Sequence, residues 1–279
     1  MDNTSFYIDG KKFTFSLDGT PEFKYGKDEV LSQEVTDITF QQPWYKEGFS
    51  ENDFLNEQEF AFLKNGLTGC IGRIIKQELS IDTTDFELED YHEYVKNDTD
   101  HFRIVSKTRD LFPEDFNFSI TDIIHRLGVI LKHELTDIIP ITNQKLHIIV
   151  RINRPGSKDY NPPHKDNYEA IDNYSYIAPF VNFWIPVAGA TQNSSLPIVP
   201  ESHLINENLI LRTFEGGVIE GNKYRVRMVK SWNGDNRLTR SKVKYGQVLI
   251  FSPNLIHGVA VNDEVNVTRV ALEFRLFKK

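Results

Sequence analysis

Three stretches decide the fold: Gly246-Gln-Val-Leu-Ile-Phe251, His257-Gly-Val-Ala-Val-Asn262 and Thr268-Arg-Val-Ala-Leu-Glu-Phe-Arg275. The first and third are dominated by β-branched and aromatic residues and read as strands, residues 248–251 and 267–277. Working outward, residues 180–187, 196–199 and 224–229 read the same way, and 146–152 is a further β-branched run. Gly, Pro and Asn divide these segments. Short strands at such spacing predict an all-β sandwich or barrel rather than βαβ units.

Upstream of Pro140 the pattern is helical. Within residues 56–79, Phe60, Phe62 and Leu63 precede Gly66, read as a helix stop, and Leu67, Cys70, Ile71, Ile74 and Ile75 then recur at helical spacing. Residues 80–100 are acidic and polar and are expected to be an exposed loop or short helices. A further helix is predicted over 119–138, capped by Ser119 and Asp122, with Ile123, Ile124, Leu127, Ile130, Leu131 and Leu135 on one broad face. At the start, Asp9-Gly10 joins two aromatic-rich arms and signals a two-residue hairpin that adds a strand to the barrel, covers its mouth or forms a dimer contact; cover of the core sheet is the working expectation. The expected architecture is mainly β with flanking helices around a jelly-roll core. It forms one domain over 1–279: an N-terminal hairpin and extension (1–55), helical support (56–140) and the β core (141–279).

Composition narrows the function. The chain has 279 residues, with 32 Lys and Arg against 40 Asp and Glu, a formal charge of -8. Displacing counterions from nucleic acid needs surplus positive charge, so nucleic acid is excluded as the main partner. Cys70 is the only cysteine, which rules out an intramolecular disulfide and a thiolate zinc cluster. No apolar run approaches the roughly 18 residues of a spanning helix, and the first residues lack a basic and apolar leader. A cytoplasmic protein acting on a small molecule, without a membrane partner, is expected; oligomeric state is unreadable.

The chemistry concentrates in a few residues. His92, His101, His125, His133 and His147 are read as structural. His164-Lys165-Asp166 follows the Pro162-Pro163 corner, and in an extended chain residues i and i+2 point the same way, so His164 and Asp166 can converge on one point. His257 ends the strand at 248–253. Two histidines and a carboxylate are the facial triad of non-haem Fe(II) oxygenases, with open positions for a bidentate 2-oxo acid and dioxygen. Arg269 lies inside an apolar strand, where burial is costly without an anion, and its fork suits the far carboxylate of 2-oxoglutarate.

These residues, with Leu196-Pro-Ile-Val-Pro-Glu-Ser-His203 between them, resemble the phytanoyl-CoA dioxygenase-like family of Fe(II)/2-oxoglutarate-dependent dioxygenases over roughly residues 146–277. The family usually has Pro-Gly-Ser-His where this chain has Pro200-Glu-Ser-His203. The resemblance implies a double-stranded β-helix of cupin type, Fe(II) held by His164, Asp166 and His257, and 2-oxoglutarate anchored by Arg269. O2 oxidises the substrate with release of succinate and CO2. Arg275 faces the same way and is the rival anchor. Asn182 either hydrogen-bonds the cosubstrate or pairs with backbone. Related halogenases lack the carboxylate, so Asp166 favours hydroxylation. His203 is expected to buttress its turn.

Substrate contacts are expected from Lys165, Tyr168, Arg225 and Arg227. The last two belong to a locally basic stretch, 204–244, that could attract an anionic metabolite such as a sugar acid or that simply solubilises a hairpin. A cupin-like metalloenzyme independent of 2-oxoglutarate and a carbohydrate-binding jelly roll are the alternatives.

Overall fold

The computed structural model describes residues 2–109, 111–145, 148–173 and 178–279. The chain runs through β1 (Asp2–Ile8), β2 (Lys11–Asp18), β3 (Lys24–Tyr25) and β4 (Phe49–Asp53) into α1 (Glu57–Leu79), α2 (Tyr91–Tyr94), α3 (Asp98–Thr108) and α4 (Ile120–Leu131). It continues as β5 (Leu135–Thr136), β6 (Ile149–Asn153), α5 (Tyr168–Asn173), β7 (Phe180–Ala188), β8 (Pro197–Ile198), β9 (Ile210–Arg212) and β10 (Gly217–Ile219). β11 (Asn222–Tyr224), β12 (Val229–Trp232), β13 (Arg237–Arg240), β14 (Gln247–Phe251) and β15 (Arg269–Lys278) complete it. Among the described residues no helix is long and apolar enough to cross a membrane.

The major sheet has the order β4-β14-β7-β15-β5, with β6 also paired to β15. Period-two alternation along β15 divides its residues between two environments. Val270, Leu272, Phe274 and Leu276 join Val181, Phe183, Ile185, Val248 and Ile250 in one apolar cluster with Leu63, Leu67, Ile71 and Ile75 of α1 and Leu127 of α4. Ala271 turns the other way, into a second cluster with Trp184, Leu249 and Phe251. Opposite lie the sheets β11-β10-β2-β1-β13-β8 and β12-β9-β3, and bridges from His257 to His164 and Ile198 tie the two sides together. This is the double-stranded β-helix, with helices on one face.

Several expectations need correction. Gly66 does not stop a helix: α1 runs unbroken from its Asn56 capping box to Ser80. A Cβ at Gly66 would lie 2.4 Å from the Phe116 carbonyl oxygen, so this glycine permits a close chain approach instead. The segment 80–100 does form short helices, α2 and the start of α3 among them, but it is not simply exposed, since Leu88, Tyr91 and Val95 are fully buried. α4 ends at Lys132 (φ 58°), leaving His133 outside it, because Thr136 pairs with Phe277 of β15; the Ser119 side chain makes no capping bond. The strand expected over 224–229 is two strands, β11 and β12, with a break between them.

The N-terminal hairpin forms, with Asp9 and Gly10 at φ 48° and 82°, as a type I′ turn requires. It does not cover the core sheet. β1 pairs in parallel with β13 and β2 antiparallel with β10, so the hairpin supplies two strands of the opposite sheet. Leu146 and His147, read as the start of a strand, lie outside the described residues.

Candidate metal centre

His164 and His257 face each other as a backbone bridge, each N–H donating to the other's carbonyl at 2.9 and 3.1 Å. Their rings, tilted by 49° to each other, are anchored in the same way. His164 Nδ1 lies 2.7 Å from the Pro162 carbonyl oxygen and His257 Nδ1 3.0 Å from that of Leu255. A carbonyl only accepts, so each Nδ1 carries a proton, and in the neutral ring Nε2 is then the atom with the free lone pair. Both Nε2 atoms are 3.6 Å from the Asp166 carboxylate, one from each oxygen. The three residues offer ligand atoms that all lie within 4.8 Å of one another.

Asp166 is held from the other side by Asn182, whose Nδ2 donates at 2.7 Å, and by Arg275 Nη2 at 3.4 Å. Burial opposes its charged form, but Arg275, His257 and His164 outweigh it and keep the carboxyl well below the usual carboxylate range. Burial and the neighbouring His164 push His257 below its ordinary value. A carboxylate and two neutral imidazoles are the states in which these groups bind a divalent ion.

Arg269 is fully buried. Nη1 donates to the Ser194 carbonyl at 3.1 Å, Nη2 to Asn153 Oδ1, and Nε has no partner. Its guanidinium lies over Trp184, and among the described residues no carboxylate pairs with it. Burial, reinforced by Arg240 and Arg151, pulls its pKa down to about 9. A buried cation with an idle donor is arranged for an anion that arrives from outside. It lines the same cavity, about 230 Å³, as His164, His257 and Trp184. The donor set suits a divalent metal, and the orphaned guanidinium suits the carboxylate of a cosubstrate.

The remaining predicted site residues fall elsewhere. Asn182 bonds the Asp166 side chain rather than backbone or the cavity at Arg269. Arg275 does share the inward face of β15 with Arg269, yet it serves Asp166. Lys165 and Tyr168 are buried and both bind Glu207, at 2.7 and 2.8 Å. The alternation that aims His164 and Asp166 together sends Lys165 the opposite way. Arg225 and Arg227 line a separate surface hollow with Glu169 and Glu215, and Arg227 lies 3.5 Å from Asp172. His203 packs edge-on against Tyr45, outside the cluster.

Sequence reading missed Arg109, Arg151 and Glu273, which line the cavity. Arg151 and Glu273 carried the same signal as Arg269, a charge inside an apolar strand. They pair bidentately across β6 and β15 at 2.9 and 2.7 Å.

A jelly roll with three converging ligand atoms beside a buried, anion-seeking arginine defines a metal-dependent oxygenase scaffold. The family is fixed by sequence. The phytanoyl-CoA dioxygenase family model matches residues 53–263, and the chain belongs to that family. It is a non-haem Fe(II)/2-oxoglutarate-dependent oxygenase, with Fe(II), 2-oxoglutarate and O2 as its cofactors.

No curated protein matches the sequence. Similar solved structures include AviO1 from Streptomyces viridochromogenes Tue57, 14% identical over 88% of this chain and 97% of that one, TM-score 0.48. EctD from S. alaskensis in its apoform is 13% identical over 93% and 85%, TM-score 0.47. EvdO2 from Micromonospora carbonacea var. aurantiaca, complexed with 2-oxoglutarate, is 13% identical over 91% and 94%, TM-score 0.47.

Proposed function

We propose that this oxygenase hydroxylates a small polar metabolite, anionic ones such as a sugar acid, an amino-acid derivative or a natural-product intermediate included, with release of succinate and CO2. His164, Asp166 and His257 hold the iron, and Arg269 receives the distal carboxylate of 2-oxoglutarate. The observation that carries this reading is Arg269: a buried guanidinium without an anionic partner among the described residues, in one cavity with both histidines.

When bound, the iron and 2-oxoglutarate supply the oxidising chemistry. The chain's own residues do the rest. Pro162 and Leu255 fix the imidazole tautomers through their carbonyls, and Asn182 and Arg275 fix the carboxylate. Arg269 orientates the cosubstrate, while Trp184 and Leu196 give the cavity an apolar wall that limits water. The helical and β segments act as one domain, a reading supported by the cluster that α1 and α4 share with β7, β14 and β15.

Anaerobic titration of the apo-protein with Fe(II) and 2-oxoglutarate tests this. The parent should develop the visible metal-to-ligand charge-transfer band, weakened in Asp166→Ala and Arg269→Ala. Iron binding without a band would favour a cupin-like enzyme independent of 2-oxoglutarate. Failure to bind iron would leave a binding module.

A further inference from the structure

Beside the metal cluster lies a second hollow of about 400 Å³, lined by Arg109, Ile149, Arg151, Asn182 and residues 273–275. Arg109, Ile149, Arg151 and Glu273 also line the cavity that holds His164, His257 and Arg269. The two spaces therefore share one wall, and the bidentate Arg151–Glu273 pair is its charged part. Because that pair neutralises itself, the charge that the hollow offers a ligand comes from Arg109 and Arg275.

Neither cation is fully matched. Arg109 is exposed and has no carboxylate partner among the described residues. Arg275 lies over the Phe180 ring and reaches Asp166 at 3.4 Å, the longer of that carboxylate's two side-chain hydrogen bonds. A divalent ion bound by Asp166 draws on the same negative charge. Metal loading thus leaves Arg275 short of its counter-ion, next to the reacting centre.

Resting on the functional reading above, we propose that this hollow is the substrate site and that the substrate is a small oxyanion, a carboxylate or a phosphate. Its anionic end is received by Arg109 and Arg275, and the site reaches full strength only after the metal is in place. Arg151 and Glu273 keep the substrate's charge apart from that of 2-oxoglutarate at Arg269. Ile149 meets the apolar part of the ligand.

The test uses the Fe(II)- and 2-oxoglutarate-loaded protein under anaerobic conditions, with calorimetry as the readout. The probes are straight-chain C4 to C8 monocarboxylates and alkyl phosphates, each compared with its neutral amide or alcohol. At least one anionic series should bind about tenfold tighter than its neutral counterpart, and whichever series wins identifies the oxyanion. Arg109→Ala, which removes neither a metal ligand nor the Arg269 anchor, should lower that affinity about fivefold and leave the charge-transfer band intact. The preference should also shrink when iron is omitted. Equal binding of charged and neutral probes, no binding at millimolar concentration, or an Arg109→Ala variant with parental affinity would overturn the assignment. An undiminished preference in metal-free protein would overturn the metal step. A parent with the band but no anion preference sinks this inference alone, whereas a parent without the band sinks the functional reading.

Discussion

Lys165 stands between two converging side chains, His164 and Asp166, and points away from both to close a buried ion pair with Glu207 at 2.7 Å. The Tyr168 hydroxyl donates to the other Glu207 oxygen. The ligand tripeptide is therefore clamped from behind. Burial pulls the Lys165 ammonium below its ordinary value against the pull of Glu207, so the pair matters more for where it holds the chain than for net stability.

Lys165→Met should strand the Glu207 carboxylate and destabilise the protein by about 3–5 kcal/mol in urea unfolding. Adding Glu207→Leu should recover most of that loss. If the pair also positions the ligands, the double variant will still bind Mn(II) more weakly than the parent. Parental Mn(II) affinity would confine the pair to stability.

Arg269→Met removes a buried cation that has no anionic partner among the described residues. The ligand-free variant should unfold within about 1 kcal/mol of the parent, because the desolvation it relieves offsets the lost bonds to Ser194 and Asn153. 2-Oxoglutarate at about 100 times its Kd should stabilise the metal-loaded parent by roughly 2.7 kcal/mol and the variant hardly at all. Equal melting shifts would exclude Arg269 as the anchor.

His101 on α3 supplies a pH dependence that does not rest on the titration of a metal ligand. Its ring lies against Tyr91 and Asp159, and burial lowers its pKa from 6.5 to about 4, against Asp159 and Asp98 and with Arg154. Between these values the unfolded chain binds the proton and the folded chain does not. The stabilising contribution is complete above pH 6.5 and is lost as pH falls toward 4, to a total of about 3 kcal/mol. In denaturant titrations at pH 7 and 4.5, His101→Asn should show a smaller difference than the parent. Identical differences would rule His101 out as the source.

Gly66→Ala sets two effects against each other. Helix propensity favours alanine by about 1 kcal/mol, but the new Cβ would stand 2.4 Å from the Phe116 carbonyl oxygen. Overpacking of this kind costs about 1–3 kcal/mol. The variant should be net destabilised, and an increase in its urea midpoint would mean that the segment carrying Phe116 gives way.

The parts of the fold legible in the sequence were those fixed by local periodicity. β7, β14 and β15 announced themselves through apolar, β-branched runs, and the i, i+2 rule joined His164 to Asp166. Long-range geometry stayed hidden. Gly66 looked like a helix stop because its close neighbour, Phe116, lies fifty residues away. Arg225 and Arg227 looked like substrate contacts because local charge does not say which hollow a hairpin lines. Arg151 and Glu273 each looked anomalous in a strand, but only the pairing of β6 with β15 shows that they satisfy one another.

The parallel pairing of β1 with β13 joins Tyr7 to Arg237 and Ile8 to Leu238. During synthesis the hairpin leaves the ribosome more than two hundred residues ahead of the strand it docks against. Both hairpin edges must therefore wait unpaired while the intervening segment is made, since β2 pairs with the similarly distant β10, and such long-range closure is slow. Closure of this sheet is thus the meeting of two distant parts of the chain. A fusion partner that crowds the first strand would interfere with maturation while leaving the finished cavity untouched.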